Sequence, residues 1–536
     1  MKKVTVVGSG ASGVHFALTL LRKGYEVVML DVGFRGRPAI NPDDSLATLK
    51  HSLPDPHDYF LGEQFESVIF PGRQGEYYGF PPSKDFVFTQ PQASPSRSSG
   101  FAPLLSFARG GLAEAWTGGS YPFNDGELES FPLQYADLQP YYAEVAQRIG
   151  ISGSTDDLTR FFPVPRELQE PLRLDAHSDL LLARYQAKRR YLNNQLGCYL
   201  GRSRLAVLSQ PQGDRRACSY LGRCLWGCPR QALYTPSMTL QECLAYPNFH
   251  YRPSTYVSHF EFDANRRIHR VVCQTVESGE SFSLPVEVLV LAAGTLMTAK
   301  IFLTSFWQAT GRAPRLPGLM DNRQIMMPFI NLALLGKRYD PESYQYHQLS
   351  MGLEAAQPHE YVHCQITTLK TALVHPIIQG LPLDLRTSLA LFRSLHAALG
   401  LVNVNLHDTR RENNQVTLEP APESGRPRLV IQYSPPPSER QLIQRTLARV
   451  RRVLWALGCV VPPGMTHIRP MGASVHYAGT IPMSLVAKSL TASAQCRSHD
   501  FDNLYFVDGT TFPFLPAKNL TYTLMANATR VAAEAF

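Results

Sequence analysis

Val4-Thr5-Val6-Val7-Gly8-Ser9-Gly10-Ala11-Ser12-Gly13 lies near the N-terminus and decides how the rest of the chain is read. Residues 4–7 read as a buried strand that runs directly into a glycine-rich turn. Beyond it Val14, Ala17, Leu18 and Leu21 recur at helical spacing. After Gly24 a second strand, residues 26–30, ends at Asp31. Each part has a task in holding a dinucleotide. Gly8 allows the tight turn, Gly10 lets the backbone approach a pyrophosphate, and Gly13 lets the helix pack on the strand. The helix opens at Ala11, where free N–H groups and a partial positive charge face the phosphates. Asp31 stands where a carboxylate accepts from ribose hydroxyls, which argues against a 2′-phosphate. Three spaced glycines alone are weak evidence; strand, turn, helix, strand and acid in this order are much stronger.

The 536 residues suggest two to four folding units, and 44% hydrophobic residues suffice for a large core. The longest apolar run, residues 286–297, contains Glu287 and falls short of the roughly 20 residues a membrane helix needs. Met1-Lys2-Lys3 begins like a leader, but Gly8-Ser9-Gly10 breaks the apolar stretch and no small-residue cleavage site follows. A soluble, cytoplasmic protein is expected, with export alongside a partner subunit left open. The formal charge of +8 is spread along the chain without a basic and aromatic patch, so nucleic acid is not an expected partner.

Four further stretches accompany the fingerprint. In Ala108-Arg109-Gly110-Gly111-Leu112-Ala113-Glu114-Ala115-Trp116-Thr117-Gly118-Gly119, glycines crowd around one Trp. Residues 286–291 read as a buried strand entering Ala292-Ala293-Gly294-Thr295 and a helix. His476-Tyr477-Ala478-Gly479-Thr480-Ile481-Pro482-Met483 precedes Asn503-Leu504-Tyr505-Phe506-Val507-Asp508-Gly509. Asn519 and a helix over 521–535 close the chain. Together, in this order, they resemble the glucose–methanol–choline (GMC) oxidoreductases, FAD enzymes that oxidise alcohols.

The resemblance implies an α/β fold in which a Rossmann-like FAD-binding domain is interleaved with an α+β substrate domain. Residues 1–35, 90–125, 205–304 and 465–536 would form the first, and residues 36–89, 126–204 and 305–464 the second. It places Gly110, Gly111 and Trp116 beside the flavin, and the strand 254–260, with Val257, on the adenine. Ala293 and Gly294 belong to the same cofactor site, with Asp508 and Gly509 at the flavin end. His476 would face the flavin N5, with Asn519 as second active-site residue. Ser484 and Leu520 depart from the family pattern, which often has glycine and proline there. The chemistry suits these residue types. Alcohol oxidation sends a hydride to the flavin while the hydroxyl proton leaves. A neutral imidazole can take that proton, and an amide can hold and orient the oxygen. Sixteen histidines are present, and His467 has no motif of its own.

Six of the nine cysteines are scattered, while Cys218, Cys224 and Cys228 fall within eleven residues and precede Pro229. Thiolates this dense can hold an iron–sulfur cluster, and three ligands suit a [3Fe-4S] cluster. The spacing is similar to that of bacterial FAD-dependent sugar dehydrogenases of the GMC family. Free thiols, another metal or a disulfide are the alternatives. A cluster favours a dehydrogenase that passes electrons from a sugar, polyol or natural-product hydroxyl to an acceptor protein, with a small chaperone-like subunit as a further candidate partner. Without one, an oxidase, isomerase or lyase of a biosynthetic pathway competes. Elsewhere, residues 383–399 read as an amphipathic helix with Leu385, Leu389, Phe392, Leu395 and Leu399 on its core face. Ser438 is placed to cap a helix over 439–457, and strands 415–418 and 428–433 are expected in a sheet over the flavin face.

Overall fold

The computed structural model describes residues 2–65, 80–91, 96–164, 167–368, 378, 381–420 and 427–536. Its first layer is a five-stranded sheet in the order Leu504–Phe506, Val288–Leu291, Lys3–Val7, Glu26–Leu30, Phe249–Arg252, every neighbouring pair parallel. Strands covered on both faces need apolar residues at nearly every position, and the fingerprint strand meets this. Val4 and Val6 pack with the helices Ala11–Arg22 and Thr521–Glu534 on one face, whereas Val7 packs with the helix Thr295–Thr310 on the other. Three strands widely separated in sequence therefore meet the fingerprint strand's sheet, and their C-terminal ends open on one crevice.

The second layer is an antiparallel sheet in the order Cys459–Val460, Arg323–Asn331, Leu399–Leu406, Val362–Thr368, Leu349–Leu353, Cys198–Arg202, with His467–Ile468 also pairing with Arg323–Asn331. Side chains alternate across its pleat. Leu200, Met351, Cys364, Val404 and Ile325 lie side by side in register, all at most 1% exposed. This row packs on the helices Ala176–Leu196 and Glu439–Ala456. The rows on the opposite face carry Ser350, Gln365 and Asn403, and then Gly352, His363 and Asn405. One side of the sheet is thus core and the other is polar.

Three sequence expectations meet the structure here. The strands Gln415–Glu419 and Arg428–Gln432 join Leu316–Pro317 and Ser96–Ser99 in a separate four-stranded sheet. Its Val416, Leu429 and Ile431 pack in one core with Leu296, Met297 and Tyr477, beside the parallel sheet. The helix expected over 383–399 runs from Leu385 to Leu395, with Ser388 and Phe392 buried and Leu385 69% exposed. Ser438 is itself in the helical region (φ −76°, ψ −11°) and makes no capping bond to Glu439–Ala456, because an N-cap residue needs extended backbone. Among the described residues no helix is long and apolar enough to cross a membrane.

Truncating a side chain in the buried row should cost far more than truncating an exposed leucine. Leu200→Ala is expected to lower the unfolding free energy by about 2–5 kcal/mol in denaturant titrations. Leu385→Ala should stay within about 0.5 kcal/mol. Equal effects would contradict this assignment of core and surface.

Candidate active site

A long groove follows the C-terminal ends of the parallel strands. Gly8, Gly10, Ala11 and Asp31 line one end, with Val257 on the strand whose Thr255 N–H donates to the Asp31 carbonyl, and Ala293 and Gly294 follow the next strand of the sheet; Gly111 also lines the groove. His476, Asp508, Gly509 and Thr521 line the other end. The helices Ala11–Arg22 and Thr521–Glu534 both begin in this groove with no side-chain cap on their first turns. Their free N–H groups and dipoles suit a bound anion. Gly13 has no room for a side chain, since a Cβ there would lie 2.1 Å from the Gly8 carbonyl oxygen. Gly8, at φ +100°, makes the turn that an L side chain resists.

Ser9 joins the two halves of this end. Its hydroxyl donates to Asp31 Oδ2 (2.5 Å) and accepts from the Gly110 N–H (2.9 Å), while Tyr251 also donates to Asp31 (2.8 Å). Burial pushes the Asp31 carboxyl up to about 6, leaving it ionised at neutral pH. At the other end Asp508 accepts from the Gly294 N–H (2.9 Å), the Thr298 hydroxyl (2.5 Å) and the Thr510 N–H (3.0 Å). Its carboxylate is thereby committed to tying the Thr295–Thr310 helix to the C-terminal strand.

His476 is held from two sides by consecutive residues, Asp321 and Asn322. Asp321 accepts from the Gly472 N–H (2.5 Å) and from the Ser474 hydroxyl, whose oxygen in turn accepts from the His476 N–H (2.9 Å). The turn puts Val475 at φ +57°, an uncommon conformation for a β-branched residue that costs of order 1–3 kcal/mol. Asn322 sets the ring. Its amide N–H groups donate to the carbonyls of Leu406 (3.0 Å) and Pro516 (2.9 Å), so its Oδ1 is left to accept from His476 Nδ1 at 3.0 Å. The proton therefore sits on Nδ1 and Nε2 carries the lone pair. Burial, and then the positive charge of Arg469, lower the His476 pKa to about 4. The imidazole is neutral at pH 7.

Opposite Nε2 stands the Asn519 amide, Nδ2 to Nε2 3.4 Å. Gln365, on the polar face of the antiparallel sheet, donates to Asn519 Oδ1 (2.6 Å), which turns Nδ2 toward the histidine. His347 stands 3.4 Å from the Gln365 amide nitrogen, buried, with its pKa lowered to about 3 by desolvation. A Cβ on Gly119 would come within 2.9 Å of Asn519 Oδ1, so Gly119 makes space for this amide.

Residues 410–528 match the family described as GMC oxidoreductase. Across 99% of its length the chain is 25% identical to 6'''-hydroxyparomomycin C oxidase from Streptomyces lividus and 24% identical to paromamine 6'-oxidase from Streptomyces fradiae, covering 90% of each. The fold is similar to that of pyridoxine 4-oxidase from Mesorbium loti, with a TM-score of 0.62 at 15% identity over 100% of this chain and 99% of that one.

The groove fits the FAD of a GMC oxidoreductase: a side-chain-free crossing at Gly8 and Gly13, uncapped helix starts for a pyrophosphate and an ionised Asp31 for a ribose. Of the cofactor residues expected from sequence, Trp116 lies elsewhere. Its indole N–H donates to the Tyr234 carbonyl (2.6 Å) and its ring lines a separate cavity. Gly110 acts behind the groove wall, where a Cβ would strike Glu114. The cysteines do not fit the expected cluster. Among the described residues no three His, Cys, Asp or Glu side chains are placed to hold one metal ion. Cys218, Cys224 and Cys228 are free thiols packed against an apolar cluster that includes Leu233 and Tyr344. Burial pushes the Cys218 thiol up to about 11 and Cys224 well above the usual thiol range.

Asn322, Gln365, His347 and Ser9 were not singled out from sequence. Ser9 had a local signal, as the residue between the first two glycines. The other three, between residues 322 and 365, belong to none of the motifs read from the sequence and reach the site through the packing of the antiparallel sheet.

Two substitutions test this geometry. Gly13→Val should yield folded but colourless protein on purification, because the added side chain forces the helix off the strand beneath the pyrophosphate; a normal FAD complement would contradict the fit. Asn322→Asp adds a negative charge beside Nδ1 and removes the donors to two carbonyls. The His476 titration, followed by NMR of labelled histidine, should move up from about 4 toward the ordinary range.

Proposed function

We propose that the protein is an FAD-dependent oxidase of a hydroxyl group on a sugar-like or aminoglycoside-like molecule. The observation that carries the reading is the pair formed by the unprotonated His476 Nε2 and the Asn519 Nδ2, 3.4 Å apart at the flavin end of the groove. One alcohol oxygen can meet both groups at once, donating its proton to Nε2 and accepting from Nδ2. FAD, when bound, supplies the acceptor for the carbinol hydrogen and its two electrons. As the O–H bond breaks, its proton passes to Nε2 while Nδ1–H stays on Asn322, and the C–O bond becomes a carbonyl. Asn322 is neutral, so it orients the ring without raising its pKa as a carboxylate would. Gln365 keeps Asn519 from rotating its carbonyl oxygen toward the substrate. A positioned base of this kind is worth about 10²–10⁴ in rate.

Two considerations favour dioxygen as the final acceptor. Both curated relatives are named oxidases, with aminoglycoside names. The cysteines, moreover, do not fit a cluster through which electrons could leave, so export to a partner protein is not part of the reading. The balance is one alcohol and one dioxygen to one carbonyl and one hydrogen peroxide.

The test is aerobic incubation of the holoenzyme with paromamine and related hydroxyl-rich compounds, measuring peroxide and carbonyl together. Equal amounts are expected; carbonyl formed only with an added electron carrier would rule out the oxidase. His476→Ala should keep its flavin and lose about 10²–10⁴ of substrate-dependent bleaching. In the wild type, activity needs neutral His476, so it should persist below pH 6 and fall only as the pH approaches about 4. A midpoint near 6.5 would contradict the buried, neutral base.

A further inference from the structure

The positive charge is spread along the sequence, but the fold gathers most of it on one side of the molecule. The helices Ala176–Leu196 and Glu439–Ala456 cover the core face of the antiparallel sheet. The first contributes four lysines and arginines, the second five, each against one acid: a net +7 of the chain's formal +8. The two helices lie antiparallel. Lys188 Nζ donates to the Ala456 carbonyl (2.7 Å), and farther along Arg449 Nε donates to the Leu196 carbonyl (2.5 Å). Arg184 is likewise spent on the Leu457 carbonyl and Arg189 on Asp157. Arg190, Arg440, Arg445, Arg451 and Arg452 are exposed, and none forms an ion pair with a described residue. Glu439 is engaged by Arg323, which leaves Asp179 as the one exposed acid of the pair.

Large apolar side chains border this cationic face. Arg445, Ala448, Arg452 and Trp455 recur at helical spacing on the outer side of Glu439–Ala456, opposite the buried Ile443, Leu447, Val450 and Leu454. Trp455 is 70% exposed, and Tyr191 on the neighbouring helix is 51% exposed. The turn Leu332–Leu334 abuts the same end. The Leu332 N–H donates to the Gly458 carbonyl (3.2 Å), three residues beyond Trp455, and Leu332 and Leu335 are exposed. We propose that this helical layer is a docking surface for an anionic lipid bilayer. Charge complementarity carries the choice of occupant: unpaired guanidinium groups match phosphate headgroups. Trp455, Leu332 and Leu335 would sit at the boundary between headgroups and acyl chains, where an amphipathic ring and aliphatic side chains both find partners. A nucleic acid would use the arginines but leave the leucines facing water. Cys364 packs toward the helices, whereas Gln365, the next residue of the strand, reaches Asn519 on the other face. Docking therefore leaves the active site clear of the bilayer and is independent of the chemistry at His476.

Cosedimentation of the FAD-loaded protein with lipid vesicles tests the surface. Vesicles of phosphatidylglycerol and phosphatidylcholine in equal parts should carry the protein down at low salt and release it at high salt. Vesicles of phosphatidylcholine alone should leave it in solution. Arg451→Gln with Arg452→Gln should lower partitioning to the anionic vesicles at least about tenfold, with flavin content and unfolding midpoint unchanged. Arg190→Gln with Arg445→Gln, one position on each helix, gives a second measurement should that pair fail to fold. Trp455→Ser should also weaken the binding. Lys2→Gln with Lys488→Gln removes the same charge elsewhere on the surface and should bind as the wild type does. No sedimentation with the anionic vesicles, equal binding to phosphatidylcholine alone, or an equal loss in the Lys2 and Lys488 pair would overturn the docking surface. So would binding to a DNA duplex without binding to vesicles, which would assign the face to nucleic acid.

Discussion

The amide of Asn322 joins the parts of the site that no single element could bring together. Its nitrogen is spent on two carbonyls, one at the end of the antiparallel strand Leu399–Leu406 and one at Pro516, three residues before Asn519. Its oxygen is then committed to His476 Nδ1. A side chain with two donors and one acceptor side, all engaged, transmits the position of the sheet and of the C-terminal loop to the imidazole. The tautomer follows from that closure. A group free to rotate would leave the proton on either ring nitrogen.

The two sheets divide the work according to what covers them. The parallel sheet is buried on both faces, so its strand ends are the only polar feature it can offer, and they form the groove. The antiparallel sheet has helices on one face alone, and the other face is free to carry amides and imidazoles. The groups that meet around His476 accordingly come from opposite sides: His476 and Asn519 from loops beside the parallel sheet, Gln365 from the antiparallel one. Low local polarity adds to the arrangement. The same burial that keeps His476, His347 and His363 neutral makes any hydrogen bond formed there strong relative to one in water.

The cysteine loop shows how far spacing alone reaches. Three thiols within eleven residues invite a cluster, but ligation depends on where the sulfur atoms point and whether they ionise. Packing against Leu233 and Tyr344 makes these three small apolar side chains in a cluster of their own. Trp116 makes the same point: its glycine-flanked position signals close approach to something large, and that partner is the Tyr234 backbone.

What the sequence determined by itself is the part governed by local rules. Strand, glycine turn, helix and Asp31 lie within about thirty residues, where steric demands at Gly8 and Gly13 leave little choice of backbone. His476 and Asn519 were visible because they sit in contiguous motifs. The tertiary structure alone decided which ring nitrogen of His476 carries the lone pair, which face Asn519 presents, and which residues stand opposite them. Asn322 lies 154 residues from His476 and Gln365 lies 154 residues from Asn519, the residues they bond, and the sheet's register sets their positions. Register is fixed by burying Leu200, Met351, Cys364, Val404 and Ile325 as one row. That is a property of five strands together, and no window along the chain contains it.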